Sequence, residues 1–519
     1  MEPMDPSIKK NENKLNRIAG GERPAQADQR METFTASDDA NESLAFQRST
    51  PPAMWMQAER LNSTGTALHR AGRYDEALTA FRQVLELYRQ LPDSQRQQAD
   101  NLFNAGLALR EMRRYGEALT VYRQAVELYR HVPGTQRDQA DCLLNTGGIM
   151  IDTDRYEEAC SAFHDALNLY RQLDGTQHQQ ASCMLKTGHA LRNSERYEEA
   201  INAYRQAVDL CHQLDGTQQE RADTLHYSIG LTLNRIRRFE GAISAYRQAL
   251  DLYRRLDGTQ RDQAHCLYNT GAVLRDAKQY EDAITAFQQA QDHYQHLDGS
   301  TQDQADCARS IGNTLRDLGR RQEAVTAYRE ALAIFRQEDG TEKDQANILN
   351  YRIGLTLADM WQYDEALTAY RQAQDLYSRA TGAQRQHADC LYNTGITLRD
   401  LGRYQEAITA YQQALELFRQ GGSQKDQADC LRNTGNALRD LGRYQEALTA
   451  YQQALELFRQ VNGTQRQQAY CLNEGIGNTL HRMGRPDEAA TAYQQAQNLD
   501  PNLNGTEQSP KGSPGPDIG

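Results

Sequence analysis

Asparagine and arginine recur at fixed distances from a repeated glycine. Asn104, Asn145, Asn269, Asn393 and Asn433 stand two residues before such a glycine, and Asn313 and Asn436 stand one residue after. Four residues after the glycine runs an arginine series: Arg110, Arg192, Arg275, Arg316, Arg399 and Arg439. An Asn amide offers a donor and an acceptor together, which suits an extended peptide backbone. A guanidinium can take a carboxylate or a phosphate bidentately. Both sets also admit an internal reading. The amides would then bond the neighbouring repeat, and the arginines would pair with carboxylates of adjacent units. Asp276, Asp317, Asp400 and Asp440, which directly follow an arginine, show that such acids are at hand.

Other reactive residue types lack a catalytic pattern. Cys142, Cys183, Cys266, Cys307, Cys390 and Cys430 share one slot, with Cys471 close to it. Equivalent slots lie about one helical layer apart, whereas a disulfide needs Cα atoms within about 7 Å. These thiols therefore read as small buried packing residues. All nine cysteines lack C-x-x-C spacing, so neither a disulfide framework nor a zinc site is expected. His293 and His296 have i, i+3 spacing but no third ligand. Nucleotide-binding, zinc-protease and hydrolase signatures are missing. The acids after Tyr74 and Tyr156 read as first-turn residues that favour helix N-termini. No enzyme activity, metal or cofactor is expected.

The elements that carry these residues repeat. The phrase R-Y-x-E-A-x-x-A-Y-x-Q-A places its first aromatic slot at Tyr74, Tyr115, Tyr156, Tyr197, Phe239, Tyr280, Arg321, Tyr363, Tyr404, Tyr444 and Pro486, eleven times at steps of 40–42 residues. Such a period marks a solenoid or a similar array. Each unit reads as two helices, since apolar residues such as Ala283, Ile284, Ala286, Phe287 and Ala290 follow 3.6-residue periodicity. Thr259 with Asp262, and likewise Thr135/Asp138, Thr217/Glu220, Thr341/Asp344 and Ser423/Asp426, match the capping box. Gly175, Gly216, Gly258 and Gly340 precede those caps, where a C′ glycine would end the previous helix. Pro51 and Pro52 follow Thr50 and mark the first helix start.

Each first helix carries one glycine in register: Gly65, Gly106, Gly147, Gly188, Gly230, Gly271, Gly312, Gly354, Gly395, Gly435 and Gly477. A mid-helix glycine costs about 1 kcal/mol relative to Ala, so its recurrence implies close helix approach. Each second helix places an alanine, Ala77 through Ala489, four residues before an aromatic, Phe81 through Tyr493. Small against large at fixed spacing is interdigitated packing. The units containing Gly230, Gly354 and Gly477 carry one extra residue before the glycine. One residue rotates a helix by about 100°, so a π-bulge or a shifted start must absorb it.

Composition is consistent with an array. The 519 residues carry a formal charge of −12 and are 39% hydrophobic. The acidic balance argues against binding a polyphosphate backbone, and no apolar stretch is long enough to span a membrane. The start of the sequence lacks the apolar segment of a secretion signal. Residues 1–50 and 503–519 are polar and are expected to be disordered, flanking an array over 51–502. In the last unit Ala490 and Asp500 replace apolar residues, as the polar outer face of a terminal repeat requires.

The pattern G…G-R-Y-x-E-A-x-x-x-[YF]-x-x-A resembles the tetratricopeptide repeat family over about 450 residues. Its long period is similar to that of kinesin light chains and related bacterial proteins, which suggests a bacterial source. Arg321 and Pro486 depart from the pattern's tyrosine. The resemblance implies an all-α, right-handed superhelical α-solenoid of eleven antiparallel helix pairs. Its first helices would line a concave groove, and the seven asparagines would contact a peptide there. The arginine series would stand on the groove wall. The family's carboxylate clamp is incomplete, because Asp389 and Asn393 occupy places where cations are needed. The expected function is a non-enzymatic, cytoplasmic, monomeric scaffold or adaptor that binds a peptide or protein and neither nucleic acid nor membrane. The alternative is a regulatory or sensor subunit of a complex whose catalysis resides in another chain. An enzyme in its own right would need a sizeable segment outside the repeats.

Overall fold

The computed structural model describes residues 51–421 and 423–501. The terminal segments expected to be disordered lie outside the described residues. Among these, every regular element is helical, and the helices form eleven consecutive pairs. The pairs fall into two compact units, one ending at Thr259 with five pairs and one beginning at Gln260 with six. Within each unit a first helix packs on its own second helix and on the second helix of the preceding pair. In the first unit, Pro51–Arg70 pairs with Tyr74–Arg89, and Gln95–Glu111 with Tyr115–Arg130. In the second unit, Thr301–Asp317 pairs with Arg321–Phe335, and Gln424–Asp440 with Tyr444–Arg459. No described helix is long and apolar enough to cross a membrane.

The glycine and aromatic slots meet as expected. A Cβ built on Gly65 would lie 2.7 Å from Phe81 Cε1, and one on Gly271 would lie 2.9 Å from Phe287 Cδ1. The same clash, always with the aromatic sixteen residues on, occurs at all eleven glycines. Tyr122, Phe163, Tyr204, Tyr246, Tyr328, Tyr370, Tyr411 and Tyr451 are fully buried. The alanine slot is sealed from Ala77 to Ala489. Only the terminal Tyr493 is half-exposed, and its helix Pro486–Leu499 buries just Ala489, Ala492 and Ala496. All nine cysteines are free thiols, eight of them buried.

The extra residue in three first helices is absorbed by wide π-helical turns at Thr224–Gly230, Ile348–Gly354 and Cys471–Gly477. Each turn closes on the packing glycine, so the bulge keeps that glycine in register with its aromatic.

Two expectations about helix ends need correction. Thr135, Thr217, Thr341 and Ser423 form no side-chain cap on the helix that follows. The hydroxyl usually turns back to the preceding helix. Thr135 Oγ1 donates to the Tyr129 and Val132 carbonyls at 2.6 and 2.8 Å, and Thr259 Oγ1 to those of Tyr253 and Leu256 at 2.6 and 3.0 Å. Ser423 bonds the Asp426 carboxylate instead. A buried C-terminal carbonyl has fewer alternative donors than an exposed first-turn amide has acceptors, so the hydroxyl serves the carbonyl. Gly175, Gly216, Gly258 and Gly340 do adopt left-handed φ of 69°, 79°, 76° and 81°. They stand several residues past the helix end, inside the loop, rather than at C′. The true C′ reversals lie between the helices of a pair. There Arg113 N donates to Arg110 O at 2.9 Å and Arg114 N to Leu109 O at 2.8 Å. Glycine fills that left-handed position at Gly72, Gly319, Gly402, Gly442 and Gly484, whereas Arg113, Asp154, Glu195, Arg237, Lys278 and Trp361 hold it in the other six pairs.

Candidate functional site

The asparagine and arginine slots form one stripe on each first helix. Positions two before, one after and four after the glycine are spaced i, i+3, i+6, and residues three apart are neighbours on a helix surface. The structure joins the two series that the sequence presents separately. Arg110 Nη1 donates to Asn145 Oδ1 of the next repeat at 3.3 Å, and Arg399 Nη1 to Asn433 Oδ1 at 3.4 Å. Arg439 Nη1 reaches the equivalent place one repeat on, the Glu474 carbonyl in the third π turn. At Arg110 and Arg399, two of the six positions, the arginine of one repeat thus braces the asparagine of the next.

Several candidates are consumed by such bonds. Asn145 also donates to the Asp141 carbonyl at 2.9 Å. Asn433 Nδ2 donates to Tyr392 Oη at 2.6 Å, and its Oδ1 accepts from Asn436 Nδ2 at 3.2 Å. Asn436 Oδ1 and Asn313 Oδ1 accept the hydroxyls of Tyr451 and Tyr328 at 2.7 and 2.9 Å. Those are the tyrosines whose rings fill the glycine slots. Asn393 Nδ2 donates to Asn350 Oδ1 at 3.1 Å. Asn269 is buried, and Arg275 lies 3.7 Å from Asp276.

Others stay unengaged. Asn104 and Arg192 are half-buried, and among the described residues neither forms a hydrogen bond or ion pair. The same holds for Arg316. Asn313 keeps its amide Nδ2 uncommitted.

Acids beside the stripe follow a rule the sequence reading missed. Asp100, Asp141 and Asp223 accept the hydroxyl of a tyrosine near the end of their own second helix, Tyr129, Tyr170 and Tyr253. Where that tyrosine is Phe335, Phe418 or Phe458, the aspartate changes partner. Asp306 pairs with Arg309 at 2.9 Å, Asp389 accepts from Tyr351 at 2.9 Å, and Asp429 pairs with Arg432 at 2.9 Å. The Tyr-or-Phe choice some 29 residues after each aspartate was the available signal. Burial pushes the Asp389 and Asp429 carboxyls above the ordinary carboxylate range. Lys186 takes the asparagine slot of the fourth repeat. Burial, aided by the nearby Arg110 cation, lowers its ammonium to about 8.

The first-turn acids of the second helices are not simply solvated. Glu76, Glu117, Glu158, Glu199, Glu323, Glu406, Glu446 and Glu488 each pair with the arginine three residues back, just before the helix. The repeated R-Y-x-E phrase encodes this pair. These pairs are exposed and lie outside the stripe.

A family model described as "Tetratricopeptide repeat" matches residues 59–131, 138–213, 220–296, 266–337, 344–420 and 426–502. No curated protein matches the chain. Among solved structures, the chain is similar to BtubC (BKLC) from P. vanneervenii at 16% identity and TM-score 0.38, covering 46% of this chain and 96% of that one. The apo form of RapI matches at 15% identity and TM-score 0.43, covering 70% and 98%. MamA matches at 20% identity and TM-score 0.29, covering 37% and 95%.

Proposed function

The chain belongs to the tetratricopeptide repeat family, and from that premise we propose that it binds an extended peptide segment of a partner protein along the first-helix stripe. Arrays of this family serve generally as protein-interaction scaffolds, and stacked repeats present an extended surface. The observation that carries the reading is the uneven use of the polar stripe on the first helices within each compact unit. Arg110, Asn145, Arg399, Asn433 and Asn436 satisfy one another, whereas Asn104, Arg192, Asn313 Nδ2 and Arg316 keep donors open. Half-buried donors lose less side-chain entropy on binding a peptide carbonyl or carboxylate than fully exposed ones would. The chain itself performs no catalysis in this reading.

The test is capture of array-displayed extended peptides by the immobilised full chain, repeated with Asn104→Ala and Asn313→Ala. Asn433 is a poor probe because its bonds hold neighbouring repeats together. Weaker capture by both variants, with unchanged circular dichroism, is the expected result. Undiminished capture by both would place the binding surface elsewhere.

A further inference from the structure

One turn of the array combines strain with exposure. The left-handed residue between the helices of a pair is glycine or a charged residue in ten pairs, and Trp361 in the eighth, at φ 65°. That backbone is unfavourable for any residue with a side chain, and a bulky one there is an outlier. Trp361 is also 69% exposed. Among the described residues its indole forms no hydrogen bond, aromatic stack or cation–π contact. Strain kept without such an internal gain is a pointer to function.

A cavity adjoins this turn. Within the second unit, about 370 Å³ is enclosed by Gly319, Arg320, Arg321, Gln322, Glu323 and Met360. The cavity lies between consecutive turns, because Gly319 is the left-handed residue one repeat before Trp361. Trp361 itself does not line it. Arg321 stands where nine other repeats carry an aromatic ring. In the first pair that ring, Tyr74, packs on the apolar cluster that Met112, the counterpart of Met360, also covers. With arginine in place of the ring, Met360 faces an open cavity of ligand-pocket size. Arg320 is committed to Glu323 at 2.6 Å and to Glu281 at 3.1 Å. Arg321 and Asp359 are exposed, and neither side chain forms a hydrogen bond or ion pair among the described residues.

We propose that this edge pairs with itself in a second copy of the chain, each Trp361 entering the cavity beside Arg321 of the other. A two-fold interface brings one patch against itself, so a patch with both an open cavity and an unburied ring is self-complementary. Arg321 then lies over the indole, a pairing the chain already uses where Arg235 lies over the Tyr197 ring at 5.6 Å. The same symmetry lets Asp359 of one copy meet the Arg321 cation of the other. Tryptophan, methionine and arginine are the residue types enriched at interface centres. Two indoles bury about 300–500 Å², short of the roughly 1,200 Å² of a stable interface. The dimer is therefore transient, with a dissociation constant on the order of 10–100 μM. This departs from the monomer expected from the sequence, and it does not rest on the groove reading, because the turns lie outside the first-helix stripe.

The test uses the full chain carrying Trp55→Phe, which leaves Trp361 as its one tryptophan. Sedimentation and tryptophan emission are followed over roughly 1–500 μM. The mass should double with concentration, and the emission should move to the blue in step. Trp361→Gly relieves the left-handed strain, and Arg321→Tyr restores the ring. Each should weaken association more than tenfold, with a melting temperature at low concentration equal to the parent's or higher. A chain that stays monomeric throughout overturns the proposal, as does association retained by Trp361→Gly. Association lost in Trp361→Gly but kept in Arg321→Tyr overturns the cavity as the seat of the ring. A monomeric parent whose emission shifts only when the best array peptide is added overturns the second copy and gives the edge to the partner. A lowered melting temperature for Trp361→Gly refutes the strain argument.

Discussion

Replacing Gly435 by alanine sets two effects of opposite sign against each other. Helix propensity favours alanine by about 1 kcal/mol at an interior position. Packing opposes it, because the new Cβ would lie 2.7, 2.8 and 2.9 Å from Tyr451 Cε1, Cδ1 and Cζ. The ring cannot swing away. Its other side faces Gly475 of the next repeat, where a Cβ would lie 2.8 Å from Tyr451 Cδ1. Its hydroxyl is tied to Asn436 at 2.7 Å. Overpacking a rigid core costs about 1–3 kcal/mol, and a ring clamped from both sides belongs at the upper end. Subtracting the propensity gain leaves a net loss of about 2 kcal/mol. Gly116 is the control, since a Cβ there meets nothing within 4 Å. Gly116→Ala should therefore be neutral or stabilise by up to about 1 kcal/mol. The assay is urea unfolding followed by helical circular dichroism and fitted with a nearest-neighbour repeat model, because arrays need not unfold in one step. Amide exchange over residues 424–459 localises the effect. A Gly435→Ala chain as stable as the parent, or more so, would refute the close-approach explanation for the whole glycine series.

Other outcomes follow from single positions. Lys278 holds a left-handed φ of 62°, so Lys278→Gly should stabilise the chain by about 1 kcal/mol in the same unfolding assay. Thr135→Val removes a buried hydroxyl that serves two carbonyls and should lose about 1 kcal/mol. Ala383 is the buried residue in that slot of a later loop, and Ala383→Thr should gain about as much. Lys186 is lowered from 10.5 to about 8, so between those values the unfolded chain binds the extra proton. Stability through this group rises with pH across that window and is penalised below it. Buried thiols such as Cys183 and Cys211, raised by burial to about 12 and about 11, pull stability down above pH 9. The difference between parent and Lys186→Met isolates the lysine: the variant should be more stable at pH 7, by at most about 3 kcal/mol, and the gap should close by pH 10.5.

The helix pairs, the glycine–aromatic contacts and the three wide turns were legible because each depends on local register. One glycine per first helix, or one inserted residue, changes a periodic pattern in plain view. The loop hydroxyls were misread for a related reason. Ser or Thr before a helix fits a cap by sequence, but the Tyr129 carbonyl that captures Thr135 lies six residues back across a reversal. The site was half legible. Both ladders were visible, but the contact of Arg110 with Asn145 spans 35 residues, a separation at which spacing alone carries no distance. The link between Asp306 and Arg309 was hidden differently, because it depends on Phe335 replacing a tyrosine in the other helix of the pair.

The central claim is that the first-helix stripe receives a peptide. Its most direct test is photo-crosslinking of the best array peptide, carrying a benzophenone at its centre, to the full chain, with adducts located by mass spectrometry. The account predicts adducts on first helices, near the open donors Asn104, Arg192, Asn313 and Arg316. Adducts confined to the second helices, such as Tyr74–Arg89 or Arg321–Phe335, would contradict it.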